Sequence, residues 1–143
     1  MARGFRMGSG GGSNGPIKKP YYLIEDGIIN DNLILTNAGY QYDATNGRLI
    51  VYAVPPTNDS LYVTPNIDVS NYSYLRCLVG VSDGNWPVYV GTMIDGTWDQ
   101  QYTNSAYATL SRDVTNSNTV TNFQLWSKNK AGIVFYIYKI WLE

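Results

Sequence analysis

The sequence predicts an all-β fold, an antiparallel β-sandwich or jelly roll over residues 20–143 behind a flexible Gly-rich N-terminal arm over residues 1–19. Three observations carry this. Hydrophobic residues make up 44% of the chain and charged ones 15%, so the polar surface falls to Asn, Thr, Ser, Gln and Tyr, and 13 Tyr with 4 Trp favour sheets over helices. Short β-prone runs alternate with turn dipeptides from Tyr21 onward. No window of about eleven residues holds a period near 3.6 without Gly, Pro or clustered Asn breaking it. Roughly seven or more strands without intervening helices make a sandwich or jelly roll, and 143 residues suffice for one domain with a real core.

Taken in order, the arm holds Gly8, Gly10, Gly11, Gly12 and Gly15 with Ser9 and Ser13, too little apolar surface to offset chain entropy. An artificial linker would look similar, but Met1-Ala2-Arg3-Gly4-Phe5-Arg6 favours a native arm. Pro16 and Pro20 bracket the start of order. Tyr21 to Glu25 precedes Asp26-Gly27. Asn46-Gly47 separates Tyr40-Gln41-Tyr42 from Leu49 to Ala53, Asp83-Gly84 follows Leu75 to Val81, and Asp95-Gly96 follows Val88 to Ile94. Asn-Gly and Asp-Gly suit type I′ hairpins, whose two central residues need positive φ. Residues 128–132 form a longer loop before the last strand. Leu75, Cys77, Val79 and Val81 share one face of their strand, opposite Tyr74, Arg76 and Gly80. Both stripes of the closing run, Val134/Tyr136/Tyr138/Ile140/Leu142 and Ile133/Phe135/Ile137/Lys139/Trp141, are apolar. This strand is therefore central, with Lys139 turning the even-numbered stripe to the core near its end.

The net charge of −1 conceals a split. Arg3, Arg6, Lys18 and Lys19 sit in the arm with no acid, leaving six basic against eleven acidic groups, a net of −5, in the remainder. Such a body repels nucleic acid and anionic membranes. Cys77 is the single cysteine, so no intrachain disulfide forms, and its apolar neighbours predict a buried, inert thiol. No apolar run approaches the roughly 20 residues that span a bilayer, and no apolar segment follows the basic N-terminus as in a signal peptide.

The chain has no histidine, which removes the commonest general base and metal ligand. No catalytic residue, metal or cofactor is expected. Gly10-Gly11-Gly12-Ser13-Asn14-Gly15 matches G-x-G-x-x-G and contains G-x-S-x-G, but no strand precedes it and no helix follows, so both are chance matches. Glu25 with Asp26, and Asp95 with Asp99, are the carboxylate pairs that glycoside cleavage would need. A turn glycine beside each pair favours a backbone-bonding Asp instead. Two glycosylation sequons, at Asn58 and Asn71, have no secretory context.

Aromatic and amide side chains are more informative. Sugars stack their C–H faces on Trp or Tyr while amides and carboxylates bond the hydroxyls. Trp86, Trp98, Tyr102 and Tyr107, with Asn85, Asp99, Gln100, Gln101 and Asn104 nearby, form a candidate sugar-binding rim. The competing reading packs these aromatics under loops or at a subunit interface.

Three segments carry a resemblance: Pro20-Tyr21-Tyr22-Leu23-Ile24-Glu25-Asp26-Gly27, the stretch Tyr62 to Leu75 around Ile67-Asp68-Val69-Ser70-Asn71-Tyr72-Ser73, and Tyr138-Lys139-Ile140-Trp141-Leu142-Glu143. Together they resemble small jelly-roll domains, similar to galactose-binding, discoidin-like modules, in tail and other virion proteins of phages and prophages of Gram-positive gut bacteria. The resemblance implies a virion structural protein of tail fibre, baseplate or surface, made in the host cytoplasm, with a host-glycan attachment role. It also implies an anchoring arm (Arg3, Phe5, Arg6, Lys18, Lys19) in a neighbouring virion protein and a homo-oligomer such as a trimer. A purely structural decoration protein and a free carbohydrate-binding module are the alternatives.

Overall fold

A computed structural model of the chain describes residues 19–52, 60–64, 66–127 and 134–143. The described residues form strands and turns without a helix: β1 (Tyr21–Glu25), β2 (Ile28–Ile29), β3 (Leu35–Thr36), β4 (Gly39–Asp43), β5 (Arg48–Tyr52), β6 (Ser60–Val63), β7 (Ile67–Asp68), β8 (Tyr74–Val81), β9 (Val88–Ile94), β10 (Thr97–Thr103), β11 (Ala108–Asp113), β12 (Thr119–Ser127) and β13 (Phe135–Leu142). They make two antiparallel sheets of the expected jelly-roll sandwich. The larger runs β11-β8-β13-β1-β2, with β5 also on β13 and β4 on β5, and the smaller runs β10-β9-β12-β6-β3, with β7 on β12.

Alternation along each strand places the core between the sheets. Leu49 and Val51 of β5, Leu75, Cys77 and Val79 of β8, and Ile137, Ile140 and Leu142 of β13 meet Leu61, Val88, Phe123 and Leu125 from the smaller sheet, all nearly or fully buried. Burial pushes the Cys77 thiol up to about 12, so it stays protonated and unreactive.

The closing strand is central, and its two apolar stripes have a geometric cause. In β13, Ile137 pairs with Val79 and Lys139 with Leu78, leaving Tyr138 as the extra residue of a bulge. The bulge flips the alternation. Phe135 and Ile137 point inward before it, Ile140 and Leu142 after it, and Lys139 and Trp141 outward. The same bulge lets β13 pair with β5 along its first half and β1 along its second. The carbonyl of Tyr138 accepts the N–H of Gly27, 3.0 Å away.

Two of the four turn dipeptides make the expected hairpin. Asp26-Gly27 (φ 51°, 79°) joins β1 to β2 and Asp95-Gly96 (φ 49°, 85°) joins β9 to β10, both residues left-handed as type I′ requires. Asn46-Gly47 differs: residues 44–47 form a four-residue loop in which only Gly47 (φ 61°) is left-handed, while Asp43 accepts the Asn46 side-chain amide at 2.9 Å. Asp83-Gly84 closes no hairpin, because β8 and β9 belong to different sheets and the segment crosses between them. The expected loop over 128–132 lies outside the described residues, as do Arg3, Phe5, Arg6 and Lys18 of the arm, while Lys19 is exposed.

Charged and aromatic side chains bond one another across the outer face of the larger sheet. Arg48 lies 3.7 Å over the Tyr136 ring, pairs with Asp43 at 2.9 Å and donates to the Tyr138 hydroxyl at 3.2 Å. Lys139 meets Asp26 at 2.6 Å, Arg76 pairs with Glu143, and Tyr22 stacks on Trp141. Each such pair is worth little by itself.

Candidate functional site

The outer face of the smaller sheet has a different character. Period-two alternation puts Trp98, Gln100 and Tyr102 of β10 on this face, with Tyr89, Gly91 and Met93 of β9 and Asn122, Gln124 and Trp126 of β12. The register fixes their neighbours. Tyr102 lies opposite Tyr89, which lies opposite Trp126, and one step along Gly91 lies between Gln100 and Gln124. Gln124 is in turn opposite Tyr62 of β6.

These pairings assemble four rings into one run. Centroids are 6.3 Å apart for Trp98–Trp126, 5.3 Å for Trp126–Tyr89 and 5.6 Å for Tyr89–Tyr102, with planes inclined by 26°, 10° and 39°. Such spacing lies within the favourable range for aromatic pairs. Tyr102 is 64% exposed and Trp98 37%, while Tyr89 and Trp126 are half-buried beneath them.

Gly91 makes the run possible. A Cβ there would lie 2.5 Å from Cη2 of Trp98 and 2.9 Å from Cζ3 of Trp126, so both indoles occupy the space that any side chain would take. Glycine weakens a strand interior, and here it admits two large rings close to the backbone.

Polar groups on this face are neutral amides. The Trp98 indole N–H donates to Gln100 Oε1 at 3.3 Å, and Gln124 donates to Asn122 Oδ1 at 3.1 Å. Beyond β12 the face continues into an apolar-walled depression of about 300 Å³ bordered by Tyr62, Thr36, Ile34 and Asn122. The outward positions of β6, β9, β10 and β12 carry no Lys, Arg, Asp or Glu. Its outward strand positions therefore suit an uncharged ligand with flat C–H surfaces and hydroxyls. The hydrolysis candidates are placed elsewhere. Asp95 accepts the backbone N–H groups of Asn118 and Thr119 at 2.8 and 3.1 Å, Asp26 pairs with Lys139, and Asp99 leaves the sheet on the opposite side. Among the described residues no three His, Cys, Asp or Glu gather as a metal site would require.

Of the expected rim, the structure brings together Trp98, Gln100 and Tyr102 on this face. Asp99 and Gln101 alternate to the other face of β10, toward the larger sheet, where Gln101 donates to the Ser111 carbonyl at 2.5 Å. Trp86 sits in the crossover between the sheets, its carbonyl accepting from Ser127. Tyr107 lies on the larger sheet, edge-on to Tyr138 at 4.8 Å. The loop carrying it folds there because Gly80 leaves room for the Ala106 carbonyl. Tyr89, Trp126, Gly91 and Gln124 complete the run and were missed. Strand alternation through β10 would have separated Asp99 and Gln101 from Trp98, but only the β9–β12 register reveals Tyr89 beside Trp126.

No protein-family model matches the chain, and no curated protein matches it. Solved structures do. A family 29 carbohydrate binding module from Piromyces equi superposes with a TM-score of 0.58 at 13% identity, over 87% of this chain and 89% of that one. A mutant family 29 module complexed with mannohexaose gives 0.61 at 11% identity over 87% and 90%. Another complexed with cellulohexaose gives 0.60 at 10% over 87% and 89%. At these identities the likeness shows a shared fold, a β-sandwich that spans almost the whole of each chain.

Proposed function

We propose that the protein is a non-catalytic carbohydrate-binding module that holds a neutral glycan on the outer face of its smaller sheet. The observation that carries this is the ring run over Gly91, with solvent-facing Trp98 and Tyr102 flanked by amides and no charge. Sugar rings offer apolar C–H faces to such rings and hydroxyls to such amides. The depression beside Tyr62 extends the face along one direction, which favours an oligosaccharide over a single sugar. The family 29 modules, two of them complexed with hexaoses, support the same reading.

Titration calorimetry with mannohexaose and cellulohexaose tests it. Binding that weakens at least tenfold in Trp98→Ala, with the melting temperature near that of the parent, is expected. Equal affinity in the variant, or no affinity for any neutral oligosaccharide, refutes it.

The virion attachment role rests on the sequence resemblance and on the contrast between a basic arm and an acidic body. The structural neighbours support the carbohydrate-binding alternative over it. If the chain does serve in a particle, removing residues 1–19 leaves glycan binding intact and abolishes incorporation; particles that still incorporate the shortened chain exclude the arm as anchor.

A further inference from the structure

A second concavity, of about 390 Å³, opens at one end of the sandwich where β1, β7 and the loops after β2, β6 and β7 converge. Its volume lies at the lower end of the roughly 300–1,000 Å³ typical of small-molecule sites. The apolar side chains of Leu23 and Leu142 form part of its lining, and Tyr21, 39% exposed, stands at its mouth.

Amides surround this apolar floor. Asn30 is held by its neighbours, donating to the Tyr21 hydroxyl and the Tyr22 carbonyl and accepting from the Asn32 N–H. The side chains of Asn32, Asn66 and Asn71 also line the concavity, and none makes a hydrogen bond among the described residues. Each offers donors and an acceptor together, the combination that a hydroxyl, itself donor and acceptor, can satisfy on both sides. Asn66 is fixed in the left-handed region (φ 63°), so its position is set by the loop.

The charge pattern narrows the ligand. Among the described residues no Lys or Arg borders the concavity, and the Asp68 carboxylate accepts from the N–H and hydroxyl of Ser70 at 2.9 and 2.7 Å. A phosphate or carboxylate ligand would meet the charge of Asp68 and no cation among the described lining residues. An aromatic edge, an apolar floor and three amides suit one neutral pyranose.

We infer that this end concavity is a second carbohydrate site, which takes a single neutral sugar unit and is separate from the ring run. It goes beyond the oligosaccharide-binding face and stands on different residues.

Side-chain amide NMR of the full chain tests it, with D-glucose, D-mannose, D-galactose and N-acetyl-D-glucosamine as probes. At least one sugar should shift the Asn32, Asn66 and Asn71 NH2 signals in a saturable way, equally in Trp98→Ala. Asn71→Leu should weaken that binding at least tenfold, and Asn66→Gly, which keeps the left-handed backbone, should do likewise. The inference is overturned if none of the four sugars moves these signals, or if both variants bind as the parent does. Failure of the ring run would instead appear at the indole signals with hexaoses, so the two failures are read separately.

Discussion

Replacing Gly91 by Ala adds one methyl group at the point where the two indoles converge. The new Cβ would sit 2.5 Å from Trp98 and 2.9 Å from Trp126, against about 3.5–4.0 Å for ordinary carbon contact, so a ring must withdraw by roughly 1 Å. Trp98, on the edge strand and 37% exposed, is the one free to lift. Losing its contact with Trp126 removes an aromatic pair worth about 0.5–1.5 kcal/mol, a fall of roughly 2–6 °C in melting temperature for a domain of this size. By the scale of base-on-aromatic stacking, ~1–3 kcal/mol per ring, the glycan affinity drops about 5- to 150-fold. Calorimetry with mannohexaose beside a melting curve reads both. The cycle with Trp98→Ala is decisive: once the indole is gone the methyl no longer displaces the ring that meets the glycan, so the double variant binds nearly as Trp98→Ala alone. Additive losses, or full affinity in Gly91→Ala, would refute the role given to this glycine.

Other consequences follow from the same geometry. Gly80→Ala would drive a Cβ into the Ala106 carbonyl, with the carbonyl carbon at 2.6 Å; backbone must move, and the melting temperature should fall by more than in Gly91→Ala while hexaose binding at the distant face persists. Unchanged melting would show that the loop over the larger sheet is loosely held. Hydrogen bonds hold three carboxyls below their ordinary pKa values: the Asn46 amide foremost for Asp43, the Thr115 N–H for Asp113, and the Trp141 indole, then Arg76, for Glu143. A depressed carboxyl stabilises the fold above its unfolded pKa and stops doing so as pH falls through its folded value. Stability should therefore hold near neutrality and decline as pH drops below the unperturbed values of 3.8 for Asp43 and Asp113 and 4.5 for Glu143; a curve flat to lower pH contradicts this. Hexaose affinity, resting on rings and amides, should not change between about pH 5 and 8 or with salt. A titration in that range would place an ionisable group at the site.

The sandwich was legible because its causes are local. Alternation in β8, the Asp26-Gly27 and Asp95-Gly96 turns and the absence of a helical period each act within a few residues. The switch of faces in β13 was half legible. Two apolar stripes announced a central strand, but the bulge at Tyr138 depends on partners far away in sequence, Val79 opposite Ile137 and Leu78 opposite Lys139. The site divides in the same way. Trp98 and Tyr102 stand out as aromatics among amides, whereas Tyr89 and Trp126 look like ordinary strand residues until the sheet order sets them side by side. Gly91 was invisible for the same reason, since its role lies in what two other strands place over it.

The four tryptophans report from separate places: Trp98 and Trp126 in the ring run, Trp86 in the crossover and Trp141 on the larger sheet. Indole N–H NMR during a mannohexaose titration therefore locates the ligand in one experiment. Saturable shifts at Trp98 and Trp126, with Trp86 and Trp141 still, are the predicted result. Movement of Trp86 or Trp141 alone, or a hexaose that binds while all four signals stay in place, would contradict it.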